Sequence, residues 1–254
     1  MMLVCKLTGN IGKPIKSHII PASFFEVHNQ KYPPLIMGNK SGSFPKISRQ
    51  GVYDQEIVIQ EGEDILKRLD QYGYETLVKN KKDFEPIVLN SEVLGFKLVD
   101  YDYARLKLFV LSILWRASVS KKAEFSKVSL GPHEEIFRKM ILDHQPCDPE
   151  VYSVQFFIFD EKIFELGSAL FPAKEKIEEI NYYRVYLREF IALVKVDRRK
   201  SLKCFSPFII RPNSALPIVK YNYKGSSEER VIKDILSKND HIIPAWFSKA
   251  TMGG

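Results

Sequence analysis

The sequence predicts an α+β protein in which central helices precede a mainly antiparallel sheet. Between residues 61 and 143, apolar residues recur with the three- and four-residue spacing of amphipathic helices. From Glu150 onward, the chain becomes rich in β-branched and aromatic residues, which strands favour. The first fifty residues are instead rich in glycine and proline and predict loops. With 254 residues, the chain can form one large domain or two modest ones.

Four helices follow from the apolar spacing and from capping residues. The clearest runs from Asp102, a suitable N-cap, to about Ser120. The spacing also predicts helices over 61–79, 134–143 (opened by Pro132) and 227–237, and Pro21 predicts a short helix over 22–27.

Short strands are predicted around a turn at 86–89 and 96–99, and longer ones within 151–159, 182–196 and 205–223. Two prolines make residues 145–149 a candidate linker.

The composition excludes several classes of protein. It is 45% hydrophobic and 27% charged, which is typical of folded proteins, and no apolar run reaches the length of a membrane span. Three widely spaced cysteines and no signal-peptide pattern favour a cytoplasmic protein with reduced thiols. The net charge of +7 slightly favours DNA or RNA as a partner, and the alternative is a basic cytoplasmic protein that binds no nucleic acid.

Three short segments near the N-terminus carry the main functional pattern. They are Cys5-Lys6-Leu7-Thr8, Ser17-His18-Ile19-Ile20-Pro21, and Gly51-Val52-Tyr53-Asp54 leading into Ile59-Gln60-Glu61-Gly62-Glu63 before the first long helix. Through these segments, residues 3–78 resemble an HNH-type (ββα-metal) nuclease finger. They resemble in particular a set of bacterial HNH-like proteins that carry an SHIIP segment and a C-x-x-C-E before the helix.

The resemblance implies specific roles. His18 would be the general base, Glu63 the acid that opens the helix, and Glu56 the counterpart of the family's asparagine. A Mg²⁺ or Mn²⁺ ion would be held by His18, Asp54 and Glu63. Thr8, Ile59 and Gly62 replace three of the four zinc-binding cysteines, so the expected finger contains no structural zinc and is held by packing.

The resemblance and the residue patterns together suggest the domain organisation. The resemblance predicts an HNH-like finger over 1–80, and the periodicity, the linker and the change of composition predict a helical region over 81–146 and a β-rich region with a C-terminal helix over 147–254.

Each candidate residue also has a structural interpretation. His18 can be a turn histidine that hydrogen-bonds a backbone carbonyl, Glu63 a helix-start residue that favours the dipole, and Asp54 a turn residue. Arg116, next to Trp115, is a candidate for nucleotide contact, but such a pair is more often core packing plus a surface ion pair. Lys195, Arg198, Arg199, Lys200 and Lys203 form the densest basic cluster, interpreted either as a phosphate contact or as a solvated hairpin turn.

The sequence leaves three candidate functions. The favoured one is a non-catalytic, nucleic-acid-binding or protein-docking module derived from a nuclease, with a partner in an anti-phage defence complex as a plausible setting. The alternative is an active divalent-metal-dependent HNH-like endonuclease that uses His18 as general base. A third is an enzyme acting on a small substrate in a pocket of the aromatic C-terminal sheet.

Overall fold

In the residues that the computed structural model describes (2–25, 35–36, 46–47, 51–160 and 170–238), the chain has an α+β architecture. The N-terminal part contains short antiparallel strand pairs. They are β1 (Leu3–Val4) with β2 (Ile11–Gly12), β3 (Ser17–His18) with β6 (Tyr53–Asp54), and β4 (Leu35–Ile36) with β5 (Lys46–Ile47). A turn of 3₁₀ helix at Ala22–Phe24 stands where Pro21 predicts a short helix, and residues 26–27 of that prediction lie outside the described residues.

The four predicted long helices are confirmed to within a few residues. They are α1 (Gln60–Leu77), α2 (Tyr103–Val119), α3 (His133–Leu142) and α4 (Ser227–Lys238). The Asp102 side chain accepts a hydrogen bond from the backbone N–H of Arg105 at 3.0 Å, as expected of an N-cap.

Helix α2 is buried around its whole circumference, whereas the sequence pattern predicted one buried face. Every residue from Leu106 to Ala117 is buried, including Lys107, Ser112 and Arg116. The reason is its position: α2 contacts α1, α3 and the sheet, so no face of the helix remains for solvent. The three polar residues must therefore be satisfied by hydrogen bonds inside the protein.

The main sheet has seven strands. They are β7 (Glu85–Leu89), β8 (Glu92–Leu98), β9 (Val154–Phe159), β10 (Ala173–Ile177), β11 (Ile180–Leu187), β12 (Phe190–Lys195) and β13 (Leu216–Tyr221). Their order across the sheet is β10-β11-β12-β9-β13-β8-β7, and neighbours are antiparallel except for the parallel pair β9–β13. The sheet is therefore mainly antiparallel, as predicted.

The short strands β1 to β5 lie in the first fifty residues, where loops were predicted, and the main sheet differs from the sequence prediction in three further places. The segment 182–196 forms two strands, β11 and β12, because the chain reverses at Arg188, whose φ is 58°. Within 205–223, only β13 is a strand; the earlier part is a 3₁₀ turn containing Pro207. Strand β10 was not predicted, since its alternating charges, typical of an edge strand, carry no apolar pattern.

Strands β7 and β8 join the same sheet as β9 to β13. The sheet thus draws strands from both sides of the boundary predicted near residue 147, and the predicted domain division itself stays a prediction. Among the described helices, none is both long and apolar enough to cross a membrane.

Candidate functional site around His18

His18 lies on the short strand pair β3–β6, directly opposite Tyr53. Their rings meet edge to face with centroids 6.1 Å apart. Side chains alternate across a strand, so Ser17 and its partner Asp54 point the other way, and both are buried. His18 and Tyr53, in contrast, are only partly buried and share the outer side of the pair.

The backbone of His18 is anchored by Arg116 from α2. Arg116 Nη1 donates to the His18 carbonyl oxygen at 2.6 Å. The same guanidinium makes a bidentate ion pair with Asp70 on α1, at 2.8 and 2.6 Å. Its remaining donors reach the Ser112 carbonyl and hydroxyl. With its side chain fully buried and all its donor nitrogens engaged, Arg116 fixes the position of the histidine strand and has no donor free for a nucleotide.

Glu63, in the first turn of α1, faces this anchored strand. Burial raises the pKa of the Glu63 carboxyl, and Ser17, Arg116 and His18 partly offset the rise because each favours the ionised form. Within the described residues, Glu63 Oε2 and Ser17 Oγ are buried without a partner at hydrogen-bonding geometry. The structure thus brings two of the predicted residues, His18 and Glu63, into one electrostatic environment.

The four positions that the resemblance matches to zinc cysteines do not form a zinc-binding set. Cys5 Sγ accepts a hydrogen bond from the Thr8 N–H at 3.4 Å. It also packs on Gly62 so closely that an added Cβ would lie 2.9 Å from the sulfur. Ile59 is bridged to Pro14, next to β2. One thiol among a threonine, an isoleucine and a glycine does not fit a tetrahedral zinc, and this corner is held by apolar packing.

The two other acidic candidates are engaged elsewhere. Asp54 accepts from the Ser120 hydroxyl at 2.7 Å and from the Glu56 N–H at 2.9 Å. Burial tends to raise the pKa of Asp54, but these hydrogen bonds, with nearby Lys122, outweigh burial and lower it. Glu56 is exposed and pairs with Lys121 at 3.2 Å.

These positions bear on the predicted metal site. Asp54 and His18 lie on opposite sides of the strand pair, so they do not converge on one ion as the Mg²⁺ or Mn²⁺ prediction requires. Across the part of the chain that the structure describes, no group of three His, Cys, Asp or Glu side chains is arranged to hold a metal.

The predicted basic cluster is only partly available to a ligand. Lys195 is buried on β12 and donates to the Arg199 carbonyl at 2.7 Å. Arg199 is exposed but bound to Asp197 and to the Glu179 carbonyl. Arg198, Lys200 and Lys203 are exposed. A phosphate contact in this cluster therefore depends on the last three residues.

A cation lies beside His18 itself. Lys16, on the same side of the chain as His18, places its ammonium 4.8 Å from the centre of the Tyr53 ring. We call Lys16, His18 and Tyr53 the strand-pair surface. It combines one cation with two aromatic rings on an anchored backbone.

Sequence reasoning missed the partner of Arg116. Asp70 looks like an ordinary exposed position of an amphipathic helix, and only the packing of α1 on α2 reveals its role. One signal was present: Lys107, Ser112 and Arg116 interrupt an otherwise apolar helix, which indicates buried polar contacts.

Comparison with known proteins adds no family. No family model, curated protein or solved structure matches this chain.

Proposed function

We propose that this chain is a nucleic-acid-associated protein whose N-terminal segment is a non-catalytic, HNH-like binding module. The observation that carries the proposal is the strand-pair surface, where Lys16 and Tyr53 are in cation–π contact beside the His18 ring. An ammonium next to exposed aromatic rings suits single-stranded nucleic acid, because the cation pairs with a phosphate while a ring stacks on a base.

The arrangement of the neighbouring charges supports this assignment. Glu56, the exposed carboxylate nearest in sequence to the surface, is paired with Lys121, and Asp54 points inward to Ser120. Lys16 therefore has no ion-pair partner in the described residues and stays open to a phosphate. The net charge of +7 favours approach of a polyanion over longer distances.

The proposal assigns no catalysis to this segment because of the contacts that hold the finger together. Apolar contacts replace the zinc set at Cys5 and Gly62, and Asp54 lies across the strand pair from His18. A scaffold of this kind retains a binding surface, whereas metal-dependent chemistry needs several ligands in one place. The anti-phage setting and a partner protein in a defence complex come with the family resemblance and are part of the same proposal.

The test is binding of labelled single-stranded DNA, duplex DNA and RNA of equal length, followed by fluorescence anisotropy over a range of salt. We expect Lys16→Ala to bind single strands about tenfold more weakly. Its slope of log affinity against log salt should fall by about one, for the one lost phosphate contact. Tyr53→Ala should weaken binding with an unchanged salt slope, because it removes stacking and no charge.

The matched control is Lys139→Ala, which removes one exposed cation from α3. A parallel variant, Arg198→Ala/Lys200→Ala, measures the predicted basic cluster. Equal losses of affinity in the strand-pair variant and in the control would mean that only the net charge of the protein matters. If the wild-type chain bound none of the three nucleic acids, the proposed function would fail.

One observation favours the alternative of an active nuclease: His18 and Glu63 share an environment in which the pKa of Glu63 is raised mainly by burial. The alternative predicts cleavage of DNA or RNA in Mg²⁺ or Mn²⁺ and its loss in His18→Ala. Cleavage that survives this substitution would remove His18 from the chemistry.

A further inference from the structure

A second candidate site lies at the β10 edge of the main sheet, on the face that packs against α2. Lys174 of β10 pairs with Tyr183 of β11, and directly opposite residues of an antiparallel pair share one face of a sheet. The Tyr183 hydroxyl donates to the Ser129 carbonyl at 2.7 Å and accepts from the Ser129 N–H at 3.2 Å. Lys174 is therefore on the side of the sheet where α3 begins, and it is exposed there.

His133, the first residue of α3, is held in place by Tyr152, which precedes β9. Its Nδ1 atom lies 2.8 Å from the Tyr152 hydroxyl, and the two rings meet edge to face with centroids 5.4 Å apart. A neutral imidazole that accepts the tyrosine proton at Nδ1 carries its own proton on Nε2. Among the described residues, Nε2 has no hydrogen-bond partner, and the ring is only half-buried. This tautomer therefore offers one N–H donor to a ligand.

Arg198 approaches the same ring from the bend after β12. The preceding residue, Asp197, accepts from the backbone N–H and the side-chain amide of Asn181, both at 3.1 Å, so the bend is fixed to the start of β11. Burial lowers the pKa of His133 most; Arg198 and Lys174 lower it further, and Asp197 raises it. Both cations are exposed, and the charges of both act on the His133 ring.

The carboxylates nearest to these two cations are occupied by other partners. Asp197 also accepts from Arg199 Nη2 at 2.6 Å. Glu134 accepts from a serine hydroxyl of α2, and Glu135 makes a bidentate pair with Arg138 at 2.7 and 2.8 Å. Neither cation has an ion-pair partner within the described part of the chain. Two unpaired cations thus come together with a histidine that has a donor to spare.

We propose that His133, Lys174 and Arg198 form a phosphate-binding site, in which the two cations and the His133 Nε2–H group each donate to a phosphate oxygen. Lysine and arginine make strong charge-assisted hydrogen bonds to phosphate, and the histidine is already oriented by Tyr152. The phosphate is one of the backbone of a nucleic acid; this assignment rests on the proposed function, whereas the site itself does not. A purely structural role for His133, packing on Tyr152, requires neither cation.

The first measurement is binding of inorganic phosphate to the full chain, followed by the nitrogen NMR signals of the histidine rings. We expect the His133 Nε2 signal to shift at millimolar phosphate. The variant Lys174→Ala/Arg198→Ala should weaken this binding about tenfold. The matched control, Lys176→Ala/Lys200→Ala, removes one exposed lysine from the same strand and one from the same bend, and should leave binding unchanged. Circular dichroism checks that both variants are folded, as expected for exposed positions.

The second measurement is binding of single-stranded DNA by the same two variants. We expect Lys174→Ala/Arg198→Ala to bind more weakly than the control, with a slope of log affinity against log salt lower by about two. An unshifted His133 signal at millimolar phosphate, or equal phosphate affinities in the two variants, would overturn the site. Equal DNA affinities in the two variants would overturn the assignment of its phosphate to a nucleic acid. If the wild type bound no nucleic acid, the proposed function would fail, and the phosphate titration would still test the site.

Discussion

At the scale of single residues, buried charges on α2 decide the local structure. Arg116 links three segments that are distant in the sequence: the histidine strand through the His18 carbonyl, α1 through Asp70, and α2 through Ser112. A charge taken out of water costs several kcal/mol unless it is paired and hydrogen-bonded. The ion pair with Asp70 is therefore needed for α1 to pack against α2 and for Arg116 to anchor the His18 backbone.

We expect Asp70→Ala to lower the free energy of unfolding by about 3–5 kcal/mol, because it leaves the Arg116 guanidinium buried with neutral partners only. Urea denaturation followed by tryptophan fluorescence measures the change. The control is Asp70→Leu/Arg116→Met, which removes both charges and should recover much of the loss. A loss below about 1 kcal/mol in Asp70→Ala would mean that the pair contributes no more than a surface salt bridge.

Lys107 gives a second prediction, on pH dependence. Its ammonium is buried and donates to the Tyr103 hydroxyl and to the carbonyls of Asp148 and Val151. Burial lowers the pKa of Lys107 from 10.5 to about 7. Between these values the unfolded chain binds more protons than the folded one, so stability rises with pH across this window.

The measurement compares the free energy of unfolding of the wild type with that of Lys107→Met from about pH 7 to pH 10. We expect the wild type to gain on the variant by up to roughly 1.4 kcal/mol per pH unit, the limit for one proton. A difference independent of pH would contradict the lowered pKa.

At the scale of elements, α1 and α2 approach closely at one glycine. A Cβ added to Gly73 would lie 2.4 Å from Cδ1 of Phe109. The Phe109 ring cannot easily withdraw, because its other side stacks on Phe24 with centroids 5.6 Å apart. Gly73 therefore sets the distance between the two helices that hold the Arg116–Asp70 pair. The aromatic contact to Phe24 extends this packing to the segment that follows His18.

We expect Gly73→Ala to destabilise the protein by about 1–3 kcal/mol, even though alanine favours a helix by up to about 1 kcal/mol over glycine. Thermal or urea denaturation tests this. The double variant Gly73→Ala/Phe109→Leu frees space at the contact and should lose less than the sum of the single changes. Strict additivity would show that the two positions do not clash.

At the scale of the whole molecule, the N-terminal segment and the rest of the chain share one hydrophobic core. The same cluster of buried side chains includes Cys5, Leu66, Phe109 and Ile218. Hydrogen bonds also join the N-terminal segment to the rest of the chain. Lys6 donates to the Val119 carbonyl and Arg138 donates to the Leu7 carbonyl, both at 2.5 Å. The segment over 1–80 thus depends on α2 and α3 for its buried face.

We expect a fragment of residues 1–80 to be unfolded in isolation, because it loses these contacts and has no zinc set to replace them. Circular dichroism and the dispersion of its NMR amide signals measure this. Addition of Zn²⁺ should change neither. A folded, dispersed fragment would show that the finger is an independent domain.

The sequence predicted some features of the candidate site and missed others. His18 was selected from its SHIIP segment, and its charge acts on Glu63 at the start of the helix that the pattern predicted. The strand-pair surface was not predicted: Tyr53 belongs to the quoted Gly51–Asp54 segment, but nothing in the sequence shows that it packs against Lys16 and His18. The third alternative, an enzyme with a pocket in the aromatic sheet, stays a prediction.

What the sequence determined by itself is the set of features controlled by neighbours in the chain. These are the α+β class, the four long helices, the Asp102 cap and the change to strands after residue 150, since periodicity and capping act over a few residues. Only the tertiary structure decided which charges meet. Arg116 and Asp70 are 46 residues apart, and Arg184 and Glu228 are 44 apart. Such pairs form because folding removes water from both partners at once, and this depends on the packing of whole elements.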